Sequence, residues 1–104
     1  MEELKNEYLT IKVAEMGAEL QSIKDAQGKE YLWQADPNFW PRRSPILFPI
    51  VCSVENDTYY VEGKEYHLPR HGFARDMEFK LVNRTPERLT FALHESEETL
   101  KAYP

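Results

Sequence analysis

Apolar and polar residues alternate with a period of two over most of this chain, and that period predicts strands. Tyr8 to Val13 (YLTIKV) alternates with β-branched Thr10, Ile11 and Val13, as suits a half-buried strand. Gly17 marks a turn. Ala18 to Lys24 (AELQSIK) fits a strand or one helical turn, and the following DAQGKEYLW favours the strand, because Asp25 to Gly28 read as a hairpin turn before the apolar Tyr31-Leu32-Trp33. Further on, TYYVEGKEYH reads as a hairpin about Glu62-Gly63, with Tyr59, Tyr60 and Tyr66 suited to a pleated surface. MEFKLVN and RLTFALH alternate cleanly around Arg84 to Glu87 and predict a second hairpin. SEETLKAYP departs from this period towards a helix. Ser96 can cap a short helix with acidic residues in its first turn, Lys101 near its last turn and Pro104 to stop it.

One stretch obeys neither period. Prolines 37, 41, 45 and 49 rule out a regular helix across Asp36 to Ile50 and would interrupt a central strand, so an extended, ordered loop is expected. Its run Ile46-Leu47-Phe48 is too apolar to be left in water and is expected to pack on a core while Arg42 and Arg43 project elsewhere. The predicted class is all-β with one terminal helical turn, in a single unit over residues 1–104.

Composition narrows the possible partners. At 104 residues the chain can bury roughly 60–65% of its extended surface. A net charge of −5, with 30% charged residues, argues against nonspecific attraction to nucleic acid or anionic membrane. The acidic N-terminus lacks the charge and the apolar run of a signal peptide, and no stretch approaches the about 18 apolar residues of a spanning helix. The single cysteine, Cys52, permits no internal disulfide and no cysteine-based zinc site. A cytoplasmic setting is therefore expected.

Within this acidic chain, PRRSPILFPIV and LPRHGFARD gather Arg42, Arg43, Arg70, His71 and Arg75, fixed donors of the kind a polyhydroxylated or anionic ligand needs from several directions. His71 lies between Pro69 and Gly72 with Arg70, in a turn able to present an imidazole for hydrogen bonding or for proton transfer near neutral pH; a surface or structural duty is the plainer reading. Arg42 and Arg43 follow Phe39 and Trp40, and aromatic faces beside guanidinium donors suit a sugar, whose C–H face covers a ring while charged donors hold its hydroxyls. Arg75 and Asp76 read equally well as a local ion pair. His67 and His71 have the spacing of helical metal ligands, but Pro69 between them removes the helix. Neither GxGxxG, GxxxxGK[ST] nor a GxSxG elbow occurs.

Taken in order, GAELQSIKD, GKEYLWQADPNFW, PRRSPILFPIV and GKEYHLPRHGFARDMEF resemble the N-terminal part of the aldose 1-epimerase family, in its galactose mutarotase-like, LacX-type branch. HGFARD is the sharpest of these motifs. The resemblance implies a large antiparallel β-sandwich that exchanges the anomers of a free hexose by acid/base ring opening, with no metal and no organic cofactor. It matches the family's pocket arginine to Arg42 or Arg43 and the histidine of HGFAR to His71, with Arg75 a weaker candidate. His71 is thus the candidate catalytic residue, and Arg42, Arg43, His71 and Arg75 the candidate sugar-binding set. Cys52 stands where the family pattern FPIVG has glycine. Such sandwiches run about 200–250 residues or more, so a C-terminal portion carrying the second histidine and the glutamate base is the implied partner. Two alternatives stay open: a noncatalytic carbohydrate-binding β module, and a hexose-6-phosphate 1-epimerase.

Overall fold

The computed structural model describes residues 1–104 and contains seven strands, all paired antiparallel. Strands β1 (Glu2–Lys5), β2 (Leu9–Val13) and β3 (Leu20–Asp25) form one sheet in the order β1-β2-β3. Strands β4 (Thr58–Val61) and β5 (Lys64–His67) form a second sheet, and β6 (Lys80–Thr85) and β7 (Arg88–Ala92) a third. The helix α1 (Glu97–Ala102) follows.

The predicted turns appear where local chemistry demands them. Glu62 and Gly63, at φ 50° and 80°, close β4 on β5 with the doubly left-handed geometry of a tight hairpin. Tyr59 and Tyr66 then face each other across the pair, with ring centroids 5.7 Å apart. Ser96 caps α1 through a reciprocal box, its hydroxyl accepting from the Thr99 N–H while the Thr99 hydroxyl accepts from the Ser96 N–H. The Tyr59 hydroxyl donates to the Ala102 carbonyl and so ties the helix end to β4.

Three expectations need correction. Strand β1 has no counterpart in the sequence reading, because EELK offers little β-branched or aromatic character; its pairing with β2, Glu2 opposite Val13 through Lys5 opposite Thr10, supplies the order. The strand expected over Tyr31-Leu32-Trp33 reduces to a single bridge between Lys24 and Glu30, with the Tyr31 N–H donating to the Ile23 carbonyl. The Glu30 carboxylate takes the ladder's place, accepting from the Ile23 N–H at 2.7 Å, the Leu32 N–H at 3.1 Å and the Ser22 hydroxyl. The run Ile46-Leu47-Phe48 does not sink into a core: Ile46 remains 41% and Phe48 49% exposed. Residues 36–50 are otherwise the irregular, ordered segment expected of their prolines.

The reason for that exposure is the shape. Only Val13, Leu68 and Ala74 are buried apolar side chains. The molecule is a slab of 55 × 35 × 15 Å with a radius of gyration of 16.6 Å, where a compact chain of this length would have about 13 Å. Many large apolar side chains therefore remain at its surface.

Glu30 contributes to the acid sensitivity of this slab. Its carboxyl is lowered from 4.5 to about 2, first by the Ser22 hydroxyl and then by the Ile23 and Leu32 N–H groups. Because the folded value is depressed, its stabilisation is complete above about pH 4.5 and is lost as pH falls towards 2. Glu30→Gln, which cannot ionise, should lower the urea midpoint at pH 7 and flatten the dependence of stability on pH between 4.5 and 2; an unchanged acid profile would contradict this role.

Candidate functional site

The site is assembled from three segments, each held by backbone-level constraints. The connection between β2 and β3 is zipped to the HGFARDMEF segment: the Gly17 N–H donates to the Met77 carbonyl at 2.7 Å and the Phe79 N–H to the Glu15 carbonyl at 2.8 Å. Gly17 sits at φ 71° against the Arg75 backbone, where an added Cβ would lie 2.7 Å from the Arg75 carbonyl oxygen. The proline-rich loop is fixed to the start of β3. Glu19 accepts from the N–H groups of Arg43 and Ser44 at 3.1 and 2.9 Å, and the Ser44 hydroxyl donates to the Leu20 carbonyl.

The two loops then lock to each other. The Phe48 carbonyl accepts from the Phe73 and Ala74 N–H groups at 3.0 and 3.1 Å. Gly72 is pressed so closely on it that a Cβ would meet that oxygen at 2.2 Å. Beside this clamp Cys52 and His71 exchange hydrogen bonds. The His71 N–H donates to the Cys52 carbonyl and the Cys52 N–H donates to Nδ1 of His71, both at 2.8 Å. Both residues are left-handed, at φ 66° and 64°, a conformation that costs a non-glycine residue roughly 1–2 kcal/mol. Cys52 therefore occupies a backbone position that glycine adopts without strain, the residue implied there by the family pattern.

Since Nδ1 accepts, the proton of neutral His71 resides on Nε2, which is left as a donor. Partial burial lowers the pKa of His71 below 6.5, and repulsion from Arg70 and then Arg75 adds to it. Protonating Nδ1 would also set it against the Cys52 N–H.

The arginines divide into distinct settings. Arg42 reaches across 34 residues to Asp76, Nη2 to Oδ1 at 2.9 Å. Asp76 thus serves Arg42 first, and its contact with the Arg75 Nε is the longer one at 3.9 Å. The local Arg75–Asp76 pair expected from the sequence is present but shares its carboxylate with a shorter long-range bridge. Arg75 donates to the Arg70 carbonyl at 3.2 Å, and Arg43 turns to the side-chain oxygen of Gln21 at 2.8 Å. Arg42, Arg70, His71, Arg75 and Asp76 thus form one linked cluster, while Arg43 belongs to the β3 side of the loop.

Sequence reasoning missed Glu19, Gln21 and the reach of Asp76. The signal for Glu19 and Gln21 lay in the polar members of GAELQSIKD, and that for Asp76 at the end of HGFARD. It also missed Trp33, which donates from Nε1 to the Trp40 carbonyl at 2.8 Å and meets Phe39 edge-on at 6.1 Å, so the expected aromatic surface is a group of three, with Phe39 79% exposed. His67 does not join His71. It stays on β5 with Glu65 and Thr58.

The tautomer can be read directly. In long-range 15N NMR spectra His71 should carry its proton on Nε2 and titrate with a midpoint below 6.5; an Nδ1–H form, or a midpoint above 6.5, would refute the assignment. The stability His71 contributes should be complete above about pH 6.5 and fall as pH drops through the folded-state value. Cys52→Gly, which keeps the backbone N–H, should leave the tautomer unchanged. Gly72→Ala should cost about 2–5 kcal/mol in urea unfolding, combining a left-handed residue with an unrelieved clash.

Comparison with known proteins agrees with the motifs and the fold. The family model for aldose 1-epimerase matches residues 2–104. The chromosomal LacX protein of Lactococcus lactis subsp. lactis is 44% identical over 106 residues, covering 97% of this chain and 36% of that protein. A galactose mutarotase related enzyme from Lactobacillus acidophilus superposes with a TM-score of 0.96 at 45% identity, covering 99% of this chain and 35% of that one. A galactose mutarotase-like protein from Lactobacillus casei ATCC 334 gives 0.94 at 40% identity, with coverage of 100% and 36%. The chain spans about a third of the length of these relatives. With the family model matching nearly every residue and the fold superposing on galactose mutarotase-like structures, the chain belongs to the aldose 1-epimerase family and carries one part of its β-sandwich.

Proposed function

We propose that this chain provides the sugar-orienting part of an aldose 1-epimerase acting on a free hexose, and that the acid/base pair is supplied from outside these residues. The observation that carries this reading is the lock between Cys52 and His71, which leaves Nε2–H of a neutral imidazole as a fixed donor. A donor held in one tautomer suits a sugar oxygen better than repeated proton exchange does. His71 is therefore the residue that positions the ring. Arg42 and Arg75, joined through Asp76, are the candidate donors to further hydroxyls, and Arg43 supports the loop through Gln21.

In the reaction a base removes the C1 hydroxyl proton while an acid protonates the ring oxygen; the ring opens, the aldehyde end rotates, and closure gives the other anomer. Donors that hold the remaining hydroxyls keep the opened chain in place for closure. Glu97 and Glu98 lie in the first turn of α1, where acidic side chains favour the helix N-terminus, and make no hydrogen bond to the cluster.

A phosphorylated hexose is the second reading, favoured by Arg70, which is exposed and makes no ion pair. The noncatalytic module is disfavoured by the small buried core.

Polarimetry on freshly dissolved α-glucose and α-galactose tests the main reading. The 104-residue chain alone should leave the rate of mutarotation close to the uncatalysed one, and strong acceleration that His71→Ala abolishes would overturn the division of labour. Sugar titrations followed by NMR should show hexose shifting the His71 Nε2–H signal. Preferential displacement of hexose by hexose 6-phosphate would promote the second reading.

A further inference from the structure

The carboxylate of Asp76 stands between two guanidinium groups. Its Oδ1 accepts from Arg42 Nη2 at 2.9 Å and its Oδ2 lies 3.9 Å from Arg75 Nε, so each oxygen serves a different arginine. Neither arginine has another ion-pair partner, and the Arg75 Nε is buried without a hydrogen bond. The placement is built by the backbone. Asp76 ends the short 3-10 turn Ala74–Asp76, its N–H donates to the Phe73 carbonyl at 3.0 Å, and the Ala74 N–H of that turn holds the Phe48 carbonyl of the loop that carries Arg42. Of the three side chains the carboxylate is the most open to solvent, at 59% against 31% for Arg42 and 20% for Arg75.

Two guanidinium groups turned to one point suit a phosphate, whose oxygens accept from both at once. Here that point is taken. A phosphate monoester carries about −1.5 to −2 charges at pH 7, and to reach both arginines it has to displace Asp76 or lie against a like charge. Like charges about 4 Å apart near a protein surface repel strongly enough to change a binding constant about tenfold or more. A neutral hexose meets no such repulsion, because its hydroxyls donate as well as accept and each guanidinium keeps further N–H donors beside the carboxylate. Arg70 has no carboxylate partner, but it is a single exposed guanidinium whose charge water and salt screen.

We propose that Asp76 is a specificity residue: its carboxylate fills the anion position between Arg42 and Arg75, and so selects a neutral hexose over the phosphate ester of that sugar. This deepens, and rests on, the reading of Arg42 and Arg75 as donors to the substrate. Asp76 acts through the two arginines rather than on the reacting atoms, and its charge, more than its shape, is what excludes the ester.

The test titrates the 104-residue chain with inorganic phosphate, glucose 6-phosphate and glucose at constant ionic strength, following the arginine Nε–H and His71 Nε2–H signals by NMR. Asp76→Asn keeps an oxygen acceptor for Arg42 and removes the charge. It should tighten phosphate and glucose 6-phosphate by about tenfold or more, with no matching gain for glucose. Asp76→Glu restores the charge and should bind both anions as the native chain does. Glu78→Gln removes an equal charge from an exposed side chain two residues away and should change their affinity by less than about threefold. Arg42→Gln added to Asp76→Asn should cancel the gain. Equal phosphate affinity in the native chain and Asp76→Asn, including no binding to either, or an equal gain with Glu78→Gln, would overturn the proposal. So would a native chain that binds glucose 6-phosphate about tenfold tighter than glucose with the Arg42 and Arg75 signals moving, a result that needs no variant to fold. A gain of phosphate affinity in Asp76→Asn, with glucose shifting no signal in any chain, bears out the exclusion and removes the free-hexose reading instead.

Discussion

The carbonyl of Phe48, gripped by the Phe73 and Ala74 N–H groups with Gly72 pressed against it, joins the proline-rich loop to the histidine loop, and the geometry of the cluster follows from that junction. Without a side chain at residue 72 the two backbones approach closely enough for Cys52 and His71 to exchange hydrogen bonds. The same approach brings Asp76 within reach of Arg42. Two left-handed non-glycine residues at one contact are costly, and the reciprocal bonds between them are what over-determine the conformation. Strain of this kind concentrates where a side chain must be presented in one orientation.

The second constraint is the thinness of the slab. A β-sandwich derives its stability from the faces of two sheets packed on each other. Here the chain carries strands, turns and loop anchors with little facing material, so local hydrogen bonding and glycine-mediated close approach hold the site while large apolar residues remain at the surface. The same conformation makes up about a third of each of the longer chains it superposes on.

Much of the local structure is legible in the sequence. The hairpin at Glu62-Gly63, the hairpin around Pro86-Glu87 and the cap at Ser96 each depend on residues only a few positions apart, and each formed where expected. The errors share a cause. Glu30 replaced a strand's ladder with a side chain, β1 formed from a segment of weak propensity because β2 lay beside it, and Phe48 stayed exposed because nothing in the chain covers it. Each of these outcomes depends on groups that propensity and periodicity do not weigh.

By itself the sequence determined the strand periodicity, the turns, the acidic charge and the ordered motifs that mark the family, since these are set by side-chain shape and backbone preference within a few residues. Only the tertiary structure decided that Arg42 pairs with Asp76, that Arg43 turns to Gln21, that Cys52 holds His71 in one tautomer, and which apolar face is left open. Those contacts join residues 19 to 34 positions apart, and a hydrogen bond across such a distance exists only after packing has brought its two ends to about 2.8 Å.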